Sequence, residues 1–133
     1  MIKKRKIYSF EKLTLSLSGM RIREEYEIVR NGDKAQLSRY TVVYSSGKDK
    51  RRLEQIADAD RTEIIGIFND CGILQWDGFY GKNPPGVLDG TMFSFEAEVN
   101  DGRMIRARGS NNFPKHYRDF TNALQEILRR AEE

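Results

Sequence analysis

Asn31-Gly32 narrows the possible folds of this chain more than any other dipeptide in it. Both central residues of a type I′ turn sit at positive φ, and Asn followed by Gly tolerates that conformation best. A two-residue loop here pairs Arg30 with Asp33, Ile28 with Ala35, Tyr26 with Leu37 and Glu24 with Arg39. Apolar then meets apolar and acid meets base, as a half-buried antiparallel pair requires. The spacing predicts a strand over 22–30 and a second continuing through Val43 and Tyr44.

The flanking sequence extends this pattern. Leu13, Leu15 and Leu17 alternate with Thr14, Ser16 and Ser18, the period of a strand with one dry face. Tyr8 and Phe10 fall on the opposite parity, so keeping all five inward needs a bulge near Glu11-Lys12. Ser18-Gly19 and Ser46-Gly47 are further turns, and 50–56 reads as a fourth strand in preference to a helix start. Later, Phe93, Phe95, Ala97 and Val99 alternate with Ser94, Glu96 and Glu98. A three-residue loop, Asn100-Asp101-Gly102 with Gly102 left-handed, pairs Ala97 with Ile105, Phe95 with Ala107 and Glu96 with Arg106. A two-residue loop would mix the faces, so the longer one is expected.

Two helices complete the chain. Asp60-Arg61-Thr62-Glu63 has the form of a capping box, followed by Ile64, Ile67, Phe68 and Cys71 on one helical face and Gly72 as terminator. Tyr117, Phe120, Leu124, Ile127, Leu128 and Ala131 form a second apolar stripe, with Pro114 suited to the first turn. The expected fold is therefore a two-layer α+β domain. An antiparallel sheet of about five to six strands, built from hairpins, is covered on one face by two helices.

The length of 133 residues suits a single domain spanning 1–133, with 1–6 as a frayed basic terminus. Met1-Ile2-Lys3-Lys4-Arg5-Lys6 imitates the start of a secretory signal, but Ser9, Glu11 and Lys12 interrupt the apolar run that must follow. No stretch approaches the ~20 apolar residues of a membrane span. Cys71 is the only cysteine, which excludes an intrachain disulfide and fits a reducing compartment. A cytoplasmic location without a membrane partner is the expectation. Residues 1–61 carry 15 basic and 9 acidic side chains, against 8 and 11 in 62–133. The bias comes from Lys3–Lys6 and from Lys48-Asp49-Lys50-Arg51-Arg52, clusters that could follow a phosphate backbone but read more simply as a terminus and a solvated turn.

Candidate chemistry concentrates between Trp76 and Tyr117, which holds all three prolines and the one tryptophan. A segment this rich in Gly, Pro and aromatic rings is expected to be ordered, as a packed lid or a recognition surface. Trp76, Phe79 and Tyr80 could form a platform for a ring, sugar or peptide, or could fill the core margin. Asp77 and Asp89 each precede glycine; they could act as acid and base on a sugar, though Asp before Gly more simply makes a turn. Gly109-Ser110-Asn111-Asn112 opens the last helix and could hold an anion near Arg106, Arg108 and Lys115, against the simpler reading as a cap. Arg106 also has a ready partner in Glu96. His116 and Cys71 are the single histidine and thiol, so neither a metal site nor a cofactor is expected. A Cys71–His116 catalytic pair would need a buried thiol to reach a distant helix start.

The combination Trp76-Asp77-Gly78-Phe79-Tyr80-Gly81, Asn83-Pro84-Pro85, Asp89-Gly90-Thr91 and Gly109-Ser110-Asn111-Asn112-Phe113-Pro114 resembles a family of small bacterial proteins classed as a domain of unknown function. The likeness covers roughly residues 60 to 130. Such relatives often carry a second Trp after the D-G-T segment, where this chain has Met92-Phe93. The resemblance implies no activity and no catalytic residue. The leading expectation is thus a non-enzymatic binding or interaction module using the Trp76–Asp89 loop and the Gly109–Pro114 helix start. Its expected contact residues are Trp76, Asp77, Phe79, Tyr80, Asn83, Asp89, Arg108, Ser110 and Asn111, and its partner a protein or small-molecule ligand. Two alternatives stand beside it: a hydrolase using Asp77 and Asp89 on a carbohydrate or ester, and a nucleic-acid accessory protein acting through the N-terminal basic clusters. Modest net charge, +3, weighs against nucleic acid.

Overall fold

The computed structural model describes residues 6–19, 22–81 and 91–133. In chain order the elements are β1 (Phe10–Ser18), β2 (Ile22–Asn31), β3 (Lys34–Ser45), β4 (Lys48–Asp60), α1 (Arg61–Asp70), a 3-10 turn (Ile73–Trp76), β5 (Tyr80–Gly81), β6 (Met92–Val99), β7 (Arg103–Ser110) and α2 (Tyr117–Ala131). The strands form one seven-stranded sheet in the order β4-β3-β2-β1-β6-β7-β5. Every pairing is antiparallel except β5 with β7. The α+β class is as expected; the strand count exceeds the expected five to six because β4 is a full strand and the two-residue β5 adds to the edge.

Period-two patterning decides which face is dry. Leu13, Leu15, Tyr26, Ile28, Leu37, Phe95, Ala97 and Ile105 point to one side and are buried against Ile64 and Phe68 of α1 and Phe120, Leu124, Ile127 and Leu128 of α2. The opposite face carries ion pairs instead, such as Arg51 with Glu25 and Glu27 and Arg106 with Glu96. Strand β1 carries the anticipated irregularity between Phe10 and Lys12, which turns Phe10 into the core against Phe68. Tyr8 is not drawn in with it. It lies 63% exposed, its hydroxyl donating to Asp101.

Two turns exchange roles relative to the sequence reading. The β2–β3 connection is Gly32-Asp33, closed by Asn31 with Lys34, so Ile28 faces Leu37 and Tyr26 faces Arg39. Only Gly32 needs positive φ there (64°), a conformation glycine adopts without steric cost. The two-residue shift in pairing leaves every side chain on its original face, which is why patterning alone could not choose between the registers. In the observed register two fully buried aliphatics, Ile28 and Leu37, oppose each other. The doubly positive pair is instead Ser46 (53°) and Gly47 (77°), as a type I′ turn demands. The β6–β7 loop is Asn100-Asp101-Gly102 with the register expected for it.

The helix ends also differ in detail. The Asp60 side chain makes no cap bond; it pairs with Lys34, while Glu63 reaches Arg130 of α2 at 3.0 Å. The capping box is thus replaced by two ion pairs, one joining the end of β4 to β3 and the other α1 to α2. Gly72 ends α1 in the left-handed conformation expected of it, with φ 66°. Pro114 is buried upstream of α2, not within its first turn, and His116 at φ 68° precedes the helix.

Burial, then the neighbouring Glu24 carboxylate, pushes the Tyr26 phenol up to about 12, and burial pushes the Cys71 thiol up to about 11. In the unfolded chain these groups ionise near about 10 and about 8.5. Between those limits the unfolded state binds fewer protons, so stability is complete below pH ~8.5 and falls as pH rises through the folded values. Urea midpoints measured from pH 7 upward should decline above pH ~9, and Tyr26→Phe should flatten part of that decline. A level midpoint in the wild-type protein would contradict the burial of both groups.

Candidate functional site

Helix α1 ends at Gly72, and the following 3-10 turn drops Trp76 into the space between β6 and α2. The indole lies edge-on to Phe95 at 4.9 Å, Phe120 at 5.4 Å and Phe93 at 6.3 Å between ring centroids. Its Nε1 donates to the Lys115 carbonyl at 3.0 Å. At 2% exposure the ring has no face left for a ligand, which corrects the platform reading for Trp76 and leaves it as core. Phe79 is half-buried against Phe93. Of the three platform rings only Tyr80 projects, 74% exposed.

The residues between Trp76 and Gly81 cover the edge of β7. Asp77 accepts a hydrogen bond from the Arg106 N–H at 3.0 Å, Gly78 N–H donates to the Arg106 carbonyl at 2.9 Å, and Arg108 N–H donates to the Phe79 carbonyl at 3.0 Å. Tyr80 and Gly81 then run parallel to Arg108 and Gly109. The Asp77 carboxylate thereby satisfies an edge-strand donor, where the sequence suggested a turn within Asp77-Gly78 itself. Asn83 and Asp89 lie outside the described residues, so the paired-acid geometry has only one of its members on view.

The Gly109–Asn112 turn receives both ends of this segment. Thr91 and Asn111 are reciprocally bonded: Thr91 N–H donates to Asn111 Oδ1 at 3.0 Å, and Asn111 N–H to the Thr91 carbonyl at 2.9 Å. Glycine is required at two points of close approach. A Cβ on Gly109 would stand 2.0 Å from the Asn112 carbonyl oxygen, and one on Gly81 would stand 2.5 Å from Asn112 Cβ. Ser110 is the last residue of β7, and α2 begins only at Tyr117. The turn therefore does not supply the free N–H groups of a helix start, and the anion reading loses that support; the short stretch through Phe113 and Pro114 intervenes. Phe113 stacks on Tyr117 at 4.4 Å with 19° between planes.

The remaining candidates separate. Cys71 is buried, and its raised pKa is opposite in direction to that of an activated thiol. The His116 ring nitrogen Nδ1 lies 3.2 Å from Asp119. Within the basic run, Arg51 sits 3.5 Å above the Tyr40 ring and pairs with Glu25 and Glu27, Arg52 pairs with Glu54, and Asp49 with Arg23. Lys3 to Arg5 lie outside the described residues. One hollow, lined by Lys12, Thr14, Glu96, Glu98 and Met104, opens on the polar sheet face, and another, lined by Thr41, Val43, Lys50, Arg51 and Arg52, lies along the β3–β4 hairpin. Neither is lined by the Trp76–Gly81 segment or by the Gly109–Pro114 turn. Met92, which the sequence reading did not name among its contact residues, is exposed opposite Ser110 at the same corner as Tyr80 and Arg108. Its parity with Ser94 and Glu96 was the available signal.

No family model, curated protein or solved structure matches the chain. No helix among the described residues is long and apolar enough to cross a membrane.

Trp76→Ala removes a fully packed indole and orphans the Lys115 carbonyl, so unfolding by urea should show a loss of about 3–5 kcal/mol. Gly109→Ala should destabilise as well, because the new Cβ meets backbone and not a movable side chain. A wild-type midpoint for either variant would refute the packing described.

Proposed function

We propose that this chain is a non-enzymatic, cytoplasmic binding or interaction module, and that its contact surface is the sheet corner formed by Tyr80, Arg108, Met92 and the Gly109–Pro114 turn, together with the segment up to Asp89. The observation that carries the reading is the convergence of both ends of the Gly/Pro segment on one turn, beside an outward-facing tyrosine and arginine. Exposed Tyr and Arg dominate contact energies at protein interfaces, because each offers a large surface and a directed polar group. Trp76, the ring first expected to make contact, instead supplies the rigid base on which Phe79 and Tyr80 are carried.

The hydrolase alternative draws less support. The Asp77 carboxylate is engaged by the β7 backbone, so using it as acid or base would release an edge-strand donor.

Tyr80→Ala and Arg108→Ala test the proposal directly. Both side chains are exposed, so each should change stability by no more than about 0.5 kcal/mol. Immobilised wild-type and doubly substituted chains can be compared for the binders each retains from a cell extract, with quantification by mass spectrometry. The proposal expects specific binders to be lost from the double variant while its thermal midpoint holds. Identical retention profiles would sink it.

A further inference from the structure

The two edges of the sheet are finished differently. On one side residues 77–81 cover β7; on the other, among the described residues, β4 has a neighbour, β3, along one flank only. The outward backbone groups of β4 follow from its two ends. Arg61 N–H donates to the Asp33 carbonyl, so Arg61 faces β3 and, by alternation, Asp60, Asp58 and Ile56 turn their N–H and C=O groups away from the sheet. At the other end Ser45 and Lys48 close a two-residue turn and face each other, which leaves Asp49, Arg51 and Leu53 outward. The bulge at Glu54, where Arg39 pairs with Gln55 and Tyr40 with Leu53, reconciles the two phases. Among the described residues, no hydrogen bond outside the sheet engages these outward groups.

Charged residues and a bulge on an edge strand ordinarily discourage pairing. On β4 the charges are unevenly divided: Lys48, Lys50, Arg51 and Arg52, with Asp49 among them, lie before the bulge, and Asp58 and Asp60 after it. Between them Leu53 and Ile56, each 49% exposed, share the polar face of the sheet through their partners Tyr40 and Ser38. We propose that this edge joins a second copy of the chain, antiparallel about a two-fold axis between Glu54 and Gln55, so that two seven-stranded sheets continue as one.

That axis sets outward groups against outward groups. It brings Leu53 of one copy opposite Ile56 of the other and Arg51 opposite Asp58, each twice by symmetry. Axes through Arg51 or Asp58 would oppose like charges, and a two-residue slip would place Leu53 against Asp58 or Asp49 against Asp58. The outermost pair, Asp49 with Asp60, is a like-charge pair, but each member already holds a cation of its own chain, Arg23 and Lys34. Arg51 is held in place by the Tyr40 ring and by Glu25 and Glu27 of its own chain, so Asp58 of the second copy would join a guanidinium already fixed at this edge. This surface lies at the opposite edge from the corner assigned to binding and does not depend on that assignment.

Sedimentation velocity over a dilution series provides the test. The chain should run at twice its 15.5 kDa mass when concentrated and dissociate on dilution. Asp58→Arg and Arg51→Asp should each raise the dissociation constant at least about tenfold, because each creates two like-charge pairs. An equimolar mixture of the two variants should restore the affinity, since every cross pair then joins an Arg to an Asp. Should Arg51→Asp fail to fold by circular dichroism, amide exchange of wild-type 48–60 decides: protection must rise with protein concentration. A monomer at all concentrations, a dimer indifferent to Asp58→Arg, a mixture no tighter than its components, or concentration-independent exchange would each overturn the proposal.

Discussion

The described structure depends most on where the indole of Trp76 is placed. Two sequence-distant units, the β6–β7 hairpin and helix α2, meet at this ring, and the turn after α1 delivers it there. Its Nε1 bond to the Lys115 carbonyl fixes the chain just before α2 begins, so the ring determines where that helix starts. A residue with a smaller apolar surface could fill part of the space, but only an aromatic with a donor both packs and positions the backbone. The left-handed His116 and the buried Pro114 are then the geometry by which the chain leaves β7 and turns into α2 around that fixed point.

From the same anchor follows the treatment of the β7 edge. Because Trp76 is immobile, Asp77, Gly78 and Phe79 are held alongside β7 and satisfy donors and acceptors that an edge strand would otherwise expose. Two glycines, Gly81 and Gly109, permit the backbone of this segment and that of the Asn112 turn to approach within a distance no Cβ allows. Tyr80 and Arg108 emerge on the far side of that contact. Their exposure is thus a consequence of backbone satisfaction beneath them, which gives the corner a defined shape.

Much of this architecture was legible in the sequence, and the failures have physical causes. Alternation identified β1, β2, β3, β6 and β7 and assigned Leu13, Ile28, Phe95 and Ile105 to the dry face, because burial of one face enforces a period of two. The β6–β7 loop was readable because one loop length mixes faces and the other does not. The β2–β3 register was not, since both candidate turns keep every side chain on the same face and both oppose buried apolar residues. Capping signals misled at Asp60 and Glu63 because Lys34 and Arg130, remote in sequence, compete for the same carboxylates. In the Trp76–Gly81 segment composition left open whether the three rings are displayed or packed, and the structure divides them: Trp76 is core and Tyr80 is exposed. Hydrophobic content cannot separate these roles, because the deciding neighbours, Phe95 and Phe120, come from elements far along the chain.

The asymmetry of the two sheet edges has a further implication for β4. An edge can be closed by local chain, as at β7, or by charge and irregularity, as the bulge at Glu54 and the flanking cations would do. A purely protective edge gains most from charges of one sign, since these repel any identical edge. The β4 charges are divided into a mainly basic half and an acidic half, and identical edges in antiparallel orientation attract under that division. The bulge then acts as a register mark, because only alignments that place bulge beside bulge keep outward groups facing each other along the whole strand. Charge order and backbone irregularity therefore favour the same alignment, although each arises from a different feature of the sequence.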